Sequence, residues 1–125
     1  MHLGFSRQRR LLSSAEYSNV FKQPIAAVSR QLTLLGRPNR LDYPRLGLIV
    51  AKKQVKRANA RNRCKRLLRE VFRQQQHQLP AMDFVMIVKK GADTLDNAAF
   101  IILINKLWHR FCRQHAIKQS SCVMD

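Results

Sequence analysis

The stretch "KKQVKRANARNRCKRLLREVFR", Lys52 to Arg73, decides how the chain is read. Ten of its 22 residues are Lys or Arg, and only Glu70 is acidic. Ala60, Cys64, Leu67, Leu68, Val71 and Phe72 recur at helical spacing and make one apolar stripe. Arg57, Arg61, Lys65 and Arg69 stand four apart, about 100° round the axis from that stripe. The segment is therefore an amphipathic helix with a core side and a basic side. Like charges four apart on a helix repel, so a partner that neutralises them is expected.

Outward from this helix the pattern changes to strands. "RLGLIVA" before it puts Leu46, Leu48 and Val50 on one face and Ile49 and Ala51 on the other, so both faces are expected to be covered. "DFVMIVKKG" after it is a second clear strand, with a turn at Gly91. "SRQLTLLGRPN" is a third, expected to close in a turn at Gly36, Pro38 and Asn39. "RPNRLDYP" reads as a polar loop, and a weaker strand signal covers Ile25 to Val28. "SSAEYSNVFK" is a short helix with Ser13 or Ser14 as cap and Glu16 where a capping-box acid helps. Tyr17, Val20 and Phe21 share one face of it, and Pro24 stops it. Phe100, Leu103, Ile104, Leu107, Trp108 and Phe111 give the last helix, with Asp93, Thr94 or Asp96 as cap.

These elements imply an α+β fold, a two-layer α/β sandwich with helices on one face of a small mixed sheet. Residues 1–125 read as a single RNA-binding domain, with a basic arm over 1–12 and a frayed tail over 114–125.

Charge narrows the function. The chain holds 24 Lys and Arg against 7 Asp and Glu, a net +17. So basic a domain favours polyanions, nucleic acid or anionic membrane. Its longest apolar run, Ala98 to Ile104, falls far short of the roughly 20 residues of a spanning helix. The first residues lack the continuous apolar stretch of a secretory signal. The expectation is a cytoplasmic protein without a membrane partner. Cys64, Cys112 and Cys122, odd in number and far apart, are expected to be free thiols.

Catalytic chemistry finds little purchase. His109, Cys112 and His115 stand three apart and walk round a helix axis by about 60° a step, which does not converge on one ion. The acids Glu16, Asp42, Glu70, Asp83, Asp93, Asp96 and Asp125 are scattered, whereas two-metal chemistry needs them clustered. Asp93 and Asp96 are better explained as caps. No nucleophile motif and no glycine-rich phosphate loop is present. Arginine suits bidentate phosphate contact, and Asn62 between Arg61 and Arg63 can meet a base edge or a 2′-hydroxyl. Tyr17 and Phe21 fit core packing and stacking on unpaired bases equally well.

At "KRANARNRCKRLLREVFR" the chain closely resembles the protein component of bacterial ribonuclease P. The family's Arg-Asn-Arg motif is here Arg61-Asn62-Arg63, after the strand "RLGLIVAKK". The likeness extends to "RLLSSAEYSNVFK", "LPAMDFVMIVKKG" and "LDNAAFIILINKLWHRFCR", roughly residues 9 to 113. It implies a left-handed β-α-β crossover, as in domain 2 of a small-subunit ribosomal protein of the S5 type. Sequence rules alone favour the right-handed form. It also implies a ribonucleoprotein that removes the 5′ leader of precursor tRNA, with the catalytic centre and Mg²⁺ in the RNA subunit and no obligate protein partner. The contact with the catalytic RNA maps onto Lys52, Lys53, Lys56, Arg57, Arg61, Asn62, Arg63, Lys65, Arg66 and Arg69. The leader cleft maps onto Tyr17 and Phe21, with Leu35 where the family often has an aromatic, so that apolar contact replaces stacking there. Two other classes remain: a ribosomal or general RNA-binding protein or chaperone, and a metal nuclease acting alone.

Overall fold

Helix α1, Ser14–Lys22, opens on a complete capping box. The Glu16 amide donates to Ser13 Oγ at 3.2 Å, and the Ser13 amide donates back to Glu16 Oε1 at 3.1 Å. Strands β1, Ile25–Val28, and β2, Leu32–Pro38, follow, and then β3, Arg45–Val50. The basic helix α2, Ala58–Gln75, leads to β4, Met82–Val88, and the chain closes with α3, Asn97–Ala116. The computed structural model describes residues 9–116. The first eight residues of the expected arm, the tail beyond Ala116 and Cys122 lie outside the described residues.

The sheet has the order β1-β2-β4-β3. β2 runs antiparallel to β1 and β4, while β3 runs parallel to β4. A parallel neighbour cannot be reached by a hairpin, so α2 is the crossover between β3 and β4. Side chains alternate across the pleat. Leu32, Leu34, Leu46, Met82, Phe84, Met86 and Val88 join the large core under α2 and α3, with Trp108, Phe72, Phe100 and Phe111. Leu35 and Val85 face the other way and pack with Val20 of α1 and Leu11, flanked by Tyr17, Ile49 and Ile87. Helices therefore lie on both faces. The expectation that they cover one face is corrected by α1, because β4 carries apolar residues at odd and even positions alike.

Two further expectations change. Gly36 is no turn residue: it sits inside β2, paired with Ile25 on one side and Phe84 on the other. A Cβ there would lie 2.6 Å from Phe111 Cζ and 3.1 Å from Phe84 Cδ1, so the glycine lets α3 close onto the sheet. At the arm's inner end, Leu11 is buried and its amide donates to the Leu46 carbonyl at 3.1 Å. Arg10 makes a parallel bridge to Leu46. This segment covers part of the open edge of β3, a place where exposed strand groups invite wrong pairing. At the far end α3 runs to Ala116, past the expected start of the tail.

Gly36→Ala should lower stability by about 1–3 kcal/mol through overpacking against Phe111 and Phe84. A urea titration should show a lower midpoint with an unchanged slope; an unshifted midpoint would mean that α3 has slack over β2.

Candidate nucleic-acid interface

The basic face is built from α2 and the loop before it. Val55, fully buried, anchors that loop, and the amides of Gln54 and Val55 both donate to the Ala51 carbonyl at 3.0 Å. This leaves Lys52, Lys53 and Lys56 exposed, and they continue into exposed Arg57, Asn62, Arg66 and Arg69, with Lys65 half-buried. The ion pairs among the described residues are Arg45–Glu16, Arg45–Asp83 and Arg73–Glu70, so none of these cations is neutralised by a carboxylate of the chain. The first turn of α2 contains no acid, and Arg57 as N-cap provides no side-chain acceptor. A cleft of about 620 Å³ opens between this end of α2 and the turn after β4, lined among others by Lys53, Lys56, Arg57, Lys90 and Asp93.

The two arginines of the Arg-Asn-Arg motif differ from their neighbours. Arg61 Nη1 donates to the carbonyls of Val55 at 3.0 Å and Lys56 at 2.8 Å. Arg63 donates from Nη1 to Asn97 Oδ1 at 2.7 Å, and from Nη2 to the carbonyls of Leu95 at 2.7 Å and Asp93 at 3.3 Å. Both are half-buried, and Asn62 between them points outward. Counting charge along the sequence cannot separate these inward-turned guanidinium groups from the outward ones.

The second face lies on the α1 side of the sheet. Phe21 is 45% exposed and Val28 of β1 is 58% exposed, and Val28 shares with the small Ala26 the sheet face on which Leu35 lies. Tyr17 is more constrained: a Cβ on Gly47 would lie 2.7 Å from its ring, and its hydroxyl accepts the Leu48 amide at 3.2 Å. Its ring thus packs flat on β3, leaving Phe21 as the aromatic of this helix that is open to a ligand. Leu35, expected in the cleft, is 9% exposed and packs beneath α1 as core, because its odd position in β2 brings it under Val20. Lys65 and Arg69 reach this side too. With Arg10, Leu12, Tyr17 and Leu48 they line a hollow of about 230 Å³ at the β3 edge, where the basic face and the aromatic groove meet.

Sequence reasoning missed Arg45, the residue that fixes α1 to the sheet. Its Nε and Nη2 donate to Asp83 Oδ1 and Oδ2, each at 2.8 Å, and its Nη1 donates to Glu16 Oε2 at 2.9 Å. Asn39 Nδ2 adds a bond to Asp83 Oδ1 at 2.9 Å. The Asp83 hydrogen bonds hold Arg45 firmly in its charged form. Glu16 is shifted below its ordinary value of 4.5, first by the Leu12 amide, then by that of Ser13, with Arg45 adding to the effect. An arginine at the first position of a buried-type strand, with acids at both α1 and β4, was the available signal.

The other candidates do not assemble. Asp96 caps α3, accepting the Ala99 amide at 2.8 Å. Cys112 is buried and His109 is exposed, so they face different ways; the side chain of His115 lies outside the described residues. Among the described residues no three His, Cys, Asp or Glu side chains gather as a metal site requires, and no helix is long and apolar enough to cross a membrane. Cys64, buried in the core, has its thiol pushed up by desolvation.

Comparison with known proteins agrees with this geometry. The family model Ribonuclease P matches residues 5–112. The ribonuclease P protein component of Edwardsiella ictaluri is 60% identical over 112 residues, covering 90% of this chain and 94% of its own. That of Salmonella arizonae is 57% identical over 111 residues, covering 89% and 93%. Among solved structures, the RNase P protein of Thermotoga maritima superimposes with a TM-score of 0.68 at 31% identity, covering 78% of this chain and 94% of its own. The Staphylococcus aureus protein shares the fold with a TM-score of 0.78 at 24% identity, covering 82% and 94%. The chain belongs to the ribonuclease P protein family.

The lowered Glu16 value has a sign. A carboxylate whose folded value is depressed adds stability above its unfolded value of 4.5, and that stability is lost as pH falls through the folded value. Glu16→Gln should therefore be less stable than the parent near pH 6, and the gap should close as pH falls below the ordinary carboxylate range. Urea midpoints of both proteins across this range decide it; a constant gap would assign the loss to the capping geometry alone.

Proposed function

We propose that this member of the ribonuclease P protein family divides its work between the two faces of its sheet. As a ribonuclease P protein component it is a subunit of the endoribonuclease complex that matures tRNA 5′ ends, and it works with the ribonuclease P RNA and precursor tRNA. In the finer reading, the exposed cations Lys52, Lys53, Lys56, Arg57, Arg66 and Arg69, with Lys65 and the outward Asn62, take up phosphates of the catalytic RNA. Phe21 and its apolar surroundings take up the single-stranded 5′ leader, which distinguishes precursor from product. Tyr17 shapes the groove from the β3 side, and Leu35 supports its floor.

The observation that carries this reading is a set of exposed cations on one helix and its loop without carboxylate partners among the described residues. Duplexes and folded RNA present the complementary array of phosphates. Four of the chain's acids are already committed: Glu16 and Asp83 to Arg45, Glu70 to Arg73, and Asp96 to the start of α3. This supports the view that bond cleavage, with its Mg²⁺, belongs to the RNA subunit, where phosphate oxygens hold the ions. The chain's own residues then neutralise and orient. Their contribution falls on binding and on metal occupancy within the RNA, and less on the chemical step.

Added to a ribonuclease P RNA at Mg²⁺ too low for the RNA alone, the protein should restore 5′ cleavage of precursor tRNA. Binding without restored cleavage would favour a general RNA chaperone, and cleavage by the RNA-free protein would favour a nuclease acting alone. Phe21→Ala should weaken precursor binding by the holoenzyme about tenfold, in the range of one lost stacked base, and leave mature tRNA binding unchanged. Equal losses for both RNAs would return Phe21 to a packing role.

A further inference from the structure

We propose that Arg63 acts as a positioning residue: paired with Asn97, it fixes the cleft between α2 and the turn after β4, and does not itself grip phosphate. The proposal rests on the reading that the basic face binds RNA, and it concerns how that face keeps its shape.

A guanidinium has five N–H donors in a fixed plane. Arg63 spends three of them on Asn97 Oδ1 and on the carbonyls of Leu95 and Asp93. These acceptors lie in the connection from β4 to α3 and at the first residue of α3, 30 to 34 residues away along the chain. That connection needs such a tie. It turns at Gly91, whose φ of 95° is the left-handed conformation, and runs through a short 3₁₀ turn at Ala92–Thr94. Its local bonds are short-range: the Ala92 amide donates to the Lys89 carbonyl, Thr94 Oγ1 and the Thr94 amide both donate to the Gly91 carbonyl, and the Leu95 amide donates to the Ala92 carbonyl.

The same connection forms one wall of the 620 Å³ cleft. Lys90 stands on it, opposite Lys53, Lys56 and Arg57 on the loop and α2. The Lys90 amide also donates to Gln54 Oε1 at 2.9 Å, which joins the two walls at their other end. The wall that carries Lys90 also carries Asp93, so charge alone does not fix the spacing of the two walls. Arg63 fixes it with hydrogen bonds from a charged donor, the stronger class. A phosphate in the cleft would meet Lys53, Lys56, Arg57 and Lys90 at the spacing that Arg63 sets. Turning the Arg63 fork toward phosphate would break all three of these bonds, the one to the part-buried Leu95 carbonyl among them.

Affinity of the full chain for a ribonuclease P RNA transcript, measured over a range of salt, tests this. Each phosphate contact contributes about 0.7–0.9 to the slope of log K against log salt. Arg66→Ala, at an exposed cation, should flatten the slope by that amount. Arg63→Ala should weaken binding about tenfold with the parent slope kept. Asn97→Ala, which removes no charge, should weaken it in the same direction, and the double variant should be no weaker than Arg63→Ala, since coupled residues are not additive. Arg63→Lys, which keeps the charge and loses the planar fork, should fail to restore affinity. A flattened slope in Arg63→Ala, wild-type affinity in Asn97→Ala, or rescue by Arg63→Lys would each overturn the proposal. Should Arg63→Ala fail to fold, Asn97→Ala and Arg63→Lys still decide it. A slope near zero in the parent protein would instead remove the electrostatic reading of the whole face, a distinct result.

Discussion

The fold depends on β4 being apolar on both sides. Met82, Phe84, Met86 and Val88 serve one core while Val85 and Ile87 serve the other. A strand buried on one face would need a single layer of helices, and α1 would have no surface to occupy. Because β4 is two-sided, α2 and α3 take the larger core and α1 takes the smaller. The two surfaces that can meet RNA follow from that division. The large core holds a basic helix whose apolar stripe is used up inward. The small core holds a short helix that covers part of its sheet face and leaves Phe21 and Val28 exposed.

Charge is organised by the same logic. In a chain of net +17, carboxylates are scarce and their placement matters. Two of the seven converge on Arg45, which ties the start of α1 to β3 and β4. The two carboxylates more than compensate the charge of this partly buried arginine, so the desolvation of the guanidinium is tolerable, and its fork is satisfied from both sides. Acids used in this way are unavailable to α2. The repulsion that remains on the basic face is a cost to the free protein, and it is released when phosphates arrive. The scaffold is thus neutralised internally while the binding face is left to be neutralised by the partner.

Much of this was legible in the sequence, and the exceptions have physical causes. The alternation in "RLGLIVA" and "DFVMIVKKG", the helical period of α2 and α3, and the capping box at Ser13 and Glu16 are local signals, and the elements appear where those signals place them. Gly36 was misread as a turn because a glycine near Pro38 and Asn39 usually marks one. Its real reason is non-local, the close approach of Phe111 across the sheet. That Leu35 packs under Val20 follows from the pleat, which the family pattern does not display. Arg61 and Arg63 look like their neighbours in the sequence. Only the fold reveals that the carbonyls of residues 55, 56, 93 and 95 lie within their reach.

The meeting of the two faces at the β3 edge is the less obvious consequence. Lys65 and Arg69 extend from α2 toward Arg10, Leu12 and Tyr17, and Tyr17 is pinned there by Gly47 and the Leu48 amide. An RNA phosphate drawn to Lys65 or Arg69 would therefore sit against the same rim that carries α1. β3 cannot yield at this point without breaking its register with β4, and β4 is the strand both cores share. A displacement of the basic helix would reach the aromatic groove through packed side chains and one strand. On the proposed reading, holding the catalytic RNA and presenting a surface to the leader would be mechanically one task, because a single sheet separates the two faces.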